Sequence, residues 1–448
     1  MADKTVGIAL LGCGVVGGGV ANILLAQREL IRRRTGIDLE LRHVVVKSRE
    51  EYPPNAADLP MSLDANAAID DPASQIVVEL IGGTGVAGTF IERALRLGKP
   101  VVTANKSLLA QRGRELFALA RKHNTAIAFE ASCGGGIPII EALLRSLVAN
   151  RIDALLGIVN GTCNFILTQM TQKGWSYQQA LSEAQKQGFA EANPTLDVSG
   201  RDAAQKLAIL SSLAFNVYVT EQDIHVEGID RLEPVDIQFA AELGYVIKLL
   251  AIAQRHYPPG VTADEQSVLS VRVHPTLVHR DDLLADVSGS FNAISVYGHA
   301  LGHGLWYGRG AGRTPTASAV VADIVGMAMG TSITAFQQLQ TLPDVTPPAR
   351  VLPFNELRSR YYLRMTARDE PGVLAQVTAA LGRQHISLSA IVQHENNHEQ
   401  GVPVVITTHL AKEGAMQAAI KEIDDLPAIL APTVCLRIVD QPREFGVA

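Results

Sequence analysis

Through its first 130 residues the chain alternates short runs rich in Val, Ile and Leu with stretches whose apolar positions recur at helical spacing. VGIALLG, LRHVVVK, IVVELIGG, PVVTAN and AIAFE read as strands, and Ala21 to Arg33, Ile91 to Leu97 and Leu108 to Arg121 as helices. That alternation predicts a parallel, doubly wound sheet. From Ile137 to Ala253, long apolar helical patterns mix with strand-like pieces such as ALLGIVNG, without a repeat, and predict a mixed α/β domain. The segment LPDVTPPARVLP, starting at Leu342, holds four prolines in twelve residues and reads as a stiff extended linker. Beyond it, YYLRMTAR, a helix from Gly372 to Gln384, a strand around Ile386 to Val392, GVPVVITTHL, a helix from Glu413 to Ile423 and TVCLRIV run in βαββαβ order. This is the pattern of a small ferredoxin-like unit.

At 448 residues and 47% hydrophobic, the chain fits two or three domains with ample core. A net charge of -6 and a pI near 6.1 leave no basic stripe to neutralise phosphates, so nucleic acid is not an expected partner. The single basic run, Arg32 to Arg34, reads as a solvated helix end. Cys13, Cys133, Cys163 and Cys435 lie far apart without CxxC spacing, which indicates neither zinc nor a disulfide framework. MADKTVGIAL lacks the pattern of a leader and no run of 18 apolar residues occurs, so a cytoplasmic protein with no membrane partner is expected.

Gly12-Cys13-Gly14-Val15-Val16-Gly17 follows an apolar strand and opens a helix. In that context the first glycine makes the tight turn and the second lets backbone N–H groups approach a pyrophosphate. The third lets helix and strand pack closely, and the helix start attracts the anion. This predicts a Rossmann-type nucleotide site. At the end of the second strand, Lys47-Ser48-Arg49 stands where an NAD-specific site would carry an acid, which favours NADP, although Glu50 and Glu51 follow closely. Ile81-Gly82-Gly83-Thr84-Gly85 and Glu130-Ala131-Ser132-Cys133-Gly134-Gly135-Gly136-Ile137-Pro138 also follow strands, at the edge of the sheet where ligands bind. The second admits two readings: Glu130 with turning backbone carbonyls as a nest for a monovalent cation, or glycines serving a tight crossing. Thr103-Ala104-Asn105-Lys106 follows its strand in the same manner and aims Lys106 at the crevice.

Between Gln185 and Leu210 three carboxylates, Glu191, Asp197 and Asp202, and two lysines, Lys186 and Lys206, crowd around a turn and a helix start. Asp202 and Lys206 share one helix face at i,i+4 spacing. Because the following residues are mostly apolar, the pair is either a buried proton donor with its acid or an ordinary exposed ion pair.

These blocks, together with GIVNGTCNFIL, ELGYVIKLLA, VSGSFNAISV and YGRGAGRTPTASAVVADI, resemble the homoserine dehydrogenase family of the monofunctional type carrying a C-terminal ACT domain, over nearly the whole chain. The resemblance implies NAD(P)-dependent interconversion of L-homoserine and L-aspartate 4-semialdehyde, within the biosynthesis of threonine, methionine and isoleucine. It implies Lys206 as general acid/base with Lys106 assisting, and Glu191, Asp202, Asp197 and Gly188 at the substrate. The cofactor falls to Gly12, Gly14, Val15, Val16, Gly17, Lys47, Arg49, Gly82, Thr103, Lys106 and Gly310. A monovalent cation, Na or K, falls to Glu130 with the carbonyls of Cys133, Gly135 and Ile137. The implied layout is a nucleotide domain over 1–132 completed by 305–340, a substrate and dimerisation domain over 133–304, a linker over 341–357 and an ACT domain over 358–439. In the last, Asp369-Glu370-Pro371-Gly372-Val373-Leu374 makes the strand-to-helix turn, and threonine is the implied effector at a sheet edge paired with a second copy, in a homodimer or tetramer. Three departures stand out: Asn193 where an acid is common, Cys133-Gly134 in place of a small apolar pair, and His299 where an acid is frequent. His299 and His303 sit in a Gly-rich run without a nearby acid or cysteine, so their spacing does not point to zinc. Burial of Lys206 beside the Lys106 ammonium is expected to lower its pKa.

Overall fold

The computed structural model describes residues 4–51, 53, 56–257, 260, 266–394 and 401–440; the parts of the expected domains at 1–3, 52, 54–55, 258–259, 261–265 and 395–400 lie outside the described residues. Six parallel strands, β1 (Lys4–Leu11), β2 (Ile37–Val45), β3 (Met61–Ser62), β4 (Ile76–Glu79), β5 (Val101–Thr103) and β6 (Ile127–Ala128), form one sheet in the order β3-β2-β1-β4-β5-β6. Helices cover both faces, which explains why Ile8 to Leu11 are buried without alternation. Each fully buried Ile or Leu contributes about 1.5–3 kcal/mol. The strand order reverses between β1 and β4, and the crevice at their carboxyl ends is where such sheets bind ligands.

The single helix expected over Ala21 to Arg33 is two, Val15–Ala26 and Arg28–Thr35, because the backbone turns at Gln27. The turn lets Arg28 make a two-pronged contact with Asp38 on β2.

A second, mixed sheet begins with β7 (Ile152–Ile158), β8 (His225–Val226), β9 (Tyr245–His256), β10 (Val268–His279), β11 (Phe291–Gly298) and β12 (Gly302–Arg309), in the order β12-β11-β7-β9-β10 with β8 beside β10. Strand β12 is held in register against β11 from Gly302 to Arg309, and after Gly310 the chain turns back toward the first sheet. It returns as helix Arg313–Met329, which packs on Val15–Ala26 where Gly19 leaves room for Ala317.

The C-terminal unit contains β13 (Arg358–Ala367), β14 (Leu388–Gln393), β15 (Val402–Thr408), β16 (Ala411–Lys412) and β17 (Ile429–Ile438), with helices Val373–Arg383 and Glu413–Asp424. Its strands run β17-β13-β15-β14, the ferredoxin-like order. One edge of this unit is covered within the chain: β17 pairs with β10, through Thr276 with Arg437 and Leu277 with Ile438, and makes one continuous 11-stranded sheet in which β14 forms the other edge. The junction also buries Asp236 against Arg364 and the Tyr362 hydroxyl.

The proline-rich segment is not a free spacer. Tyr218 N–H donates to Pro347 O, Ala349 N–H to Tyr218 O, Leu269 N–H to Arg350 O and Leu352 N–H to Leu269 O. Prolines lack a donor but their carbonyls accept, so the extended chain docks by one edge as a strap on the substrate domain. Among the described residues no single helix is long and apolar enough to cross a membrane.

Candidate active site

The nucleotide cradle is built by exclusion. A side chain at Gly12, whose φ is +96°, would lie 2.7 Å from Leu80 O, and one at Gly17 would lie 2.0 Å from Gly12 O, while around Gly14 there is open space. Helix Val15–Ala26 starts with no side-chain cap, and Val15 is exposed, so the N–H groups of Val15 and Val16 lie at an open helix start. This geometry fits a dinucleotide pyrophosphate. Lys47 and Arg49 are exposed just past the end of β2, with the Lys47 N–H donated to the Glu51 carboxylate.

The neighbouring strand ends are organised by an acid that the sequence reading passed over. Glu79, fully buried at the end of β4, accepts the N–H groups of Ile81 and Gly82 and the hydroxyl of Thr103. Gly82 and Gly83 adopt positive φ to make that turn. Asn105 donates to Gly83 O and caps the helix Lys106–Lys122. The hydroxyl of Thr103, a residue expected at the cofactor, is turned inward, accepting Asn105 N–H and donating to Glu79. The missed signal was a lone acid ending an all-apolar strand.

At the other lip of the crevice Lys206 and Lys106 converge on one carboxylate. Lys206 Nζ donates to Asp202 Oδ2 and to Val159 O, each at 2.7 Å, and Lys106 Nζ lies 3.3 Å from Asp202 Oδ1. The open choice between a buried donor and an exposed pair is resolved for burial: the Asp202 and Lys206 side chains are 7% and 12% exposed. Asn160, at the start of helix Gly161–Lys173, donates to both Asp202 and Asp197 and holds the two acids side by side. Its place, a polar cap between a strand and a helix, was the available clue. Burial alone would raise the Asp202 pKa, but the two ammonium groups win and hold it at about 2. For Lys206, burial pulls the pKa down, yet Asp202 overrides it and leaves the ammonium above its ordinary value. The expected lowering is therefore reversed, because the Asp202 carboxylate at 2.7 Å outweighs the cost of burial. Asp197 is pushed up by burial, aided by the Asp202 charge.

Glu191 stays outside this cluster, exposed on the loop that Gly188 opens with a φ of +76°. Asn193 accepts the N–H and hydroxyl of Thr195 at the start of the short helix Thr195–Val198, which gives that departure a local structural role. Lys186 ends its helix exposed.

In the glycine loop, both readings meet an observation. A side chain on Gly135 would lie 2.5 Å from Gly310 O, and one on Gly310 would overlap the Asn292 amide, so these glycines make a close backbone crossing. The Glu130 carboxylate accepts the N–H groups of Ile140 and Glu141, and is spent on the short helix Ile139–Glu141. Burial pushes Glu130 up to about 7 and neighbouring Asp323, which accepts the Glu130 N–H, up to about 8. Cys133 is buried, and that burial pushes its thiol up to about 12; Ile137 O accepts Ile139 N–H. The Asn292 amide, buried beside the crossing, has no hydrogen-bond partner in the described structure. His299 accepts the Arg151 N–H and His303 stacks on Tyr297.

Comparison with known proteins agrees along the chain. The homoserine dehydrogenase NAD-binding domain model matches residues 12–130, the homoserine dehydrogenase model 138–325 and the ACT domain model 361–428. A homoserine dehydrogenase from Neisseria gonorrhoeae is 42% identical over 97% of this chain and 99% of its own length, and one from Pseudomonas aeruginosa is 41% identical with the same coverage. The crystal structure of a homoserine dehydrogenase from Thiobacillus denitrificans superposes with a TM-score of 0.90 at 41% identity, covering 98% of this chain and 99% of that one. With these relatives, an open pyrophosphate cradle and two lysines on one buried carboxylate, the chain belongs to the homoserine dehydrogenase family, an NAD(P)-dependent oxidoreductase acting on a CH–OH group and carrying an ACT domain.

Proposed function

We propose that Lys206 is the group that exchanges the proton with the homoserine hydroxyl or the aspartate 4-semialdehyde oxygen, in the biosynthesis of threonine, methionine and isoleucine. The observation that carries this reading is the single carboxylate, Asp202, shared by Lys206 and Lys106 at the mouth of the nucleotide crevice. When bound, the nicotinamide supplies or accepts the hydride. In the reducing direction the Lys206 ammonium faces an oxygen gaining negative charge and gives it a proton, with Val159 O and Asp202 fixing the direction of Nζ. Lys106 adds a second positive charge at the same oxygen. The exposed Glu191, with Asp202 and Asp197, draws the substrate ammonium, and Gly188 gives the loop its turn.

In the oxidising direction Lys206 must first lose its proton, which Asp202 resists. A substrate ammonium that shares the Asp202 charge weakens that hold, so bound substrate itself prepares the base. Homoserine oxidation is expected to rise with pH through the alkaline range, whereas reduction stays level near neutrality. Asp202→Asn removes the charge that keeps the Lys206 proton on, so its alkaline limb should move to lower pH. A pH profile of kcat/KM for oxidation checks this, and an unmoved limb in the variant would remove Asp202 from control of Lys206.

NADP is the preferred cofactor in this reading, held at Gly12, Gly14, Val15, Val16, Gly17 and the backbone around Gly82 and Gly310, with Lys47 and Arg49 on the 2′-phosphate. Arg49→Asp is expected to shift the ratio of kcat/KM values toward NAD by roughly 10-fold or more, about 1.4 kcal/mol, because a carboxylate repels the phosphate and accepts from a ribose hydroxyl. Comparing the two cofactors in one assay tests it. The monovalent cation, Na or K, belongs at the carbonyls of Cys133, Gly135 and Ile137, with Glu130 offering its backbone since its carboxylate caps a helix.

The ACT domain reads as a sensor of threonine within a homodimer or tetramer. Inhibition of the full chain by millimolar threonine is the measurement that decides this. Removing everything after Pro353 is a blunt version of the test, because it uncovers β10 and leaves Asp236 without Arg364.

A further inference from the structure

Between the strap and the substrate sheet lies a cavity of about 260 Å³, lined by Asp223, His225, Arg272, Leu352, Phe354 and Leu357 among others, the last being the residue before β13. Arg272 on β10 is 7% exposed, yet among the described residues it forms no ion pair, and its one side-chain hydrogen bond there is to Ser270 Oγ at 2.7 Å. Burial, reinforced by the nearby Arg437 charge, pulls its guanidinium down to about 10. None of its remaining donors is, in the described structure, a buried atom without a partner, and Arg272 lines the cavity, where an anion can complete them. The carboxylates close by are already committed. Glu413 is held by Arg437 and the Tyr361 hydroxyl, and Glu227 by Arg437 and His225. On another wall, Asp223 uses only Oδ2, on Thr220.

We propose that this cavity is a site for a small α-amino acid, its carboxylate on Arg272 and its ammonium on Asp223, formed within one chain. The inference rests on the amino-acid sensing proposed above and gives it a place distinct from an interface between two ACT domains. The volume lies below the range of about 300–1,000 Å³ usual for larger ligands, which suits a molecule of few atoms. The apolar part of the wall, Leu352, Phe354 and Leu357, accommodates a short side chain.

The site has a physical route to the catalytic lysine. Asp223 ends the short turn Glu221–Asp223, and Glu221 accepts from Arg201 and Gln205 on the helix that carries Asp202 and Lys206. Val226 and Glu227 pack against Gly200 at the start of that helix. Clamping Asp223 toward Arg272 moves that turn against the catalytic helix, and ligand-linked changes of this kind usually span 5- to 150-fold.

The test is calorimetric titration of the full chain with L-threonine, alongside inhibition measured relative to each variant's own uninhibited rate. Arg272→Met should weaken binding roughly 10- to 100-fold, the loss of a charge-assisted hydrogen bond. Leu352→Trp, which fills the cavity and touches no charge, should weaken it comparably, and it decides the matter if the arginine variant fails to fold. Threonine inhibition with wild-type affinity in Leu352→Trp and in any folded Arg272→Met overturns this site while leaving the regulatory reading intact. A wild-type chain that neither binds nor responds to L-threonine overturns both. Acetate binding as tightly as L-threonine would reduce the cavity to an anion site and overturn the amino-acid assignment.

Discussion

Lys206→Ala should lower turnover by roughly 10² to 10⁴ in both directions while leaving cofactor affinity within about twofold, because it removes a proton-transfer group and no part of the glycine cradle. Asp202 keeps Lys106 and Asn160 as partners in this variant, so the fold has no newly abandoned charge. Lys206→Arg sharpens the result. Arginine preserves the ion pair but does not give up its proton, so homoserine oxidation should remain as low as in the alanine variant. Cofactor titration by fluorescence and a spectrophotometric rate assay measure the two quantities separately. Turnover near the wild-type value in either variant removes Lys206 from the chemistry.

Arg364→Met should destabilise the protein by about 3–5 kcal/mol, since breaking one half of a buried pair strands the other charge. Asp236 is fully buried and receives Arg364 Nε at 2.6 Å and Nη2 at 3.1 Å, with the Tyr362 hydroxyl as a weaker companion. The pair joins the ACT domain to the substrate domain, so the loss should appear as an earlier melt of the C-terminal unit. Replacing both partners with apolar residues, Asp236→Leu with Arg364→Met, should recover much of the loss, because neither charge is then stranded. Thermal denaturation of the three variants checks this order. A single variant as stable as the wild type would show that the pair contributes nothing to holding the two domains together.

Local chemistry was readable without coordinates where the backbone itself demands it. Gly12 and Gly17 announced a tight turn because no side chain fits at either, and the Asp202–Lys206 spacing put two charges on one helix face by the helical repeat alone. The βαββαβ pattern after residue 358 was legible for the same reason. The orientation of Thr103 was not legible, because a hydroxyl at a strand end has two faces to choose from, and Glu79 takes it inward.

What the sequence determined by itself was therefore the set of elements, the nucleotide turn and the presence of two lysines and their acids, since periodicity and turn chemistry are properties of a few neighbouring residues. Only the tertiary structure decided their partners. Pairing of β10 with β17 joins residues about as far apart as Thr276 and Arg437 through backbone groups that every residue carries, so no side chain advertises it. The direction of the Lys206 shift likewise turned on distance: Asp202 at 2.7 Å outweighs burial, and electrostatic energy depends on separations that a linear chain does not specify.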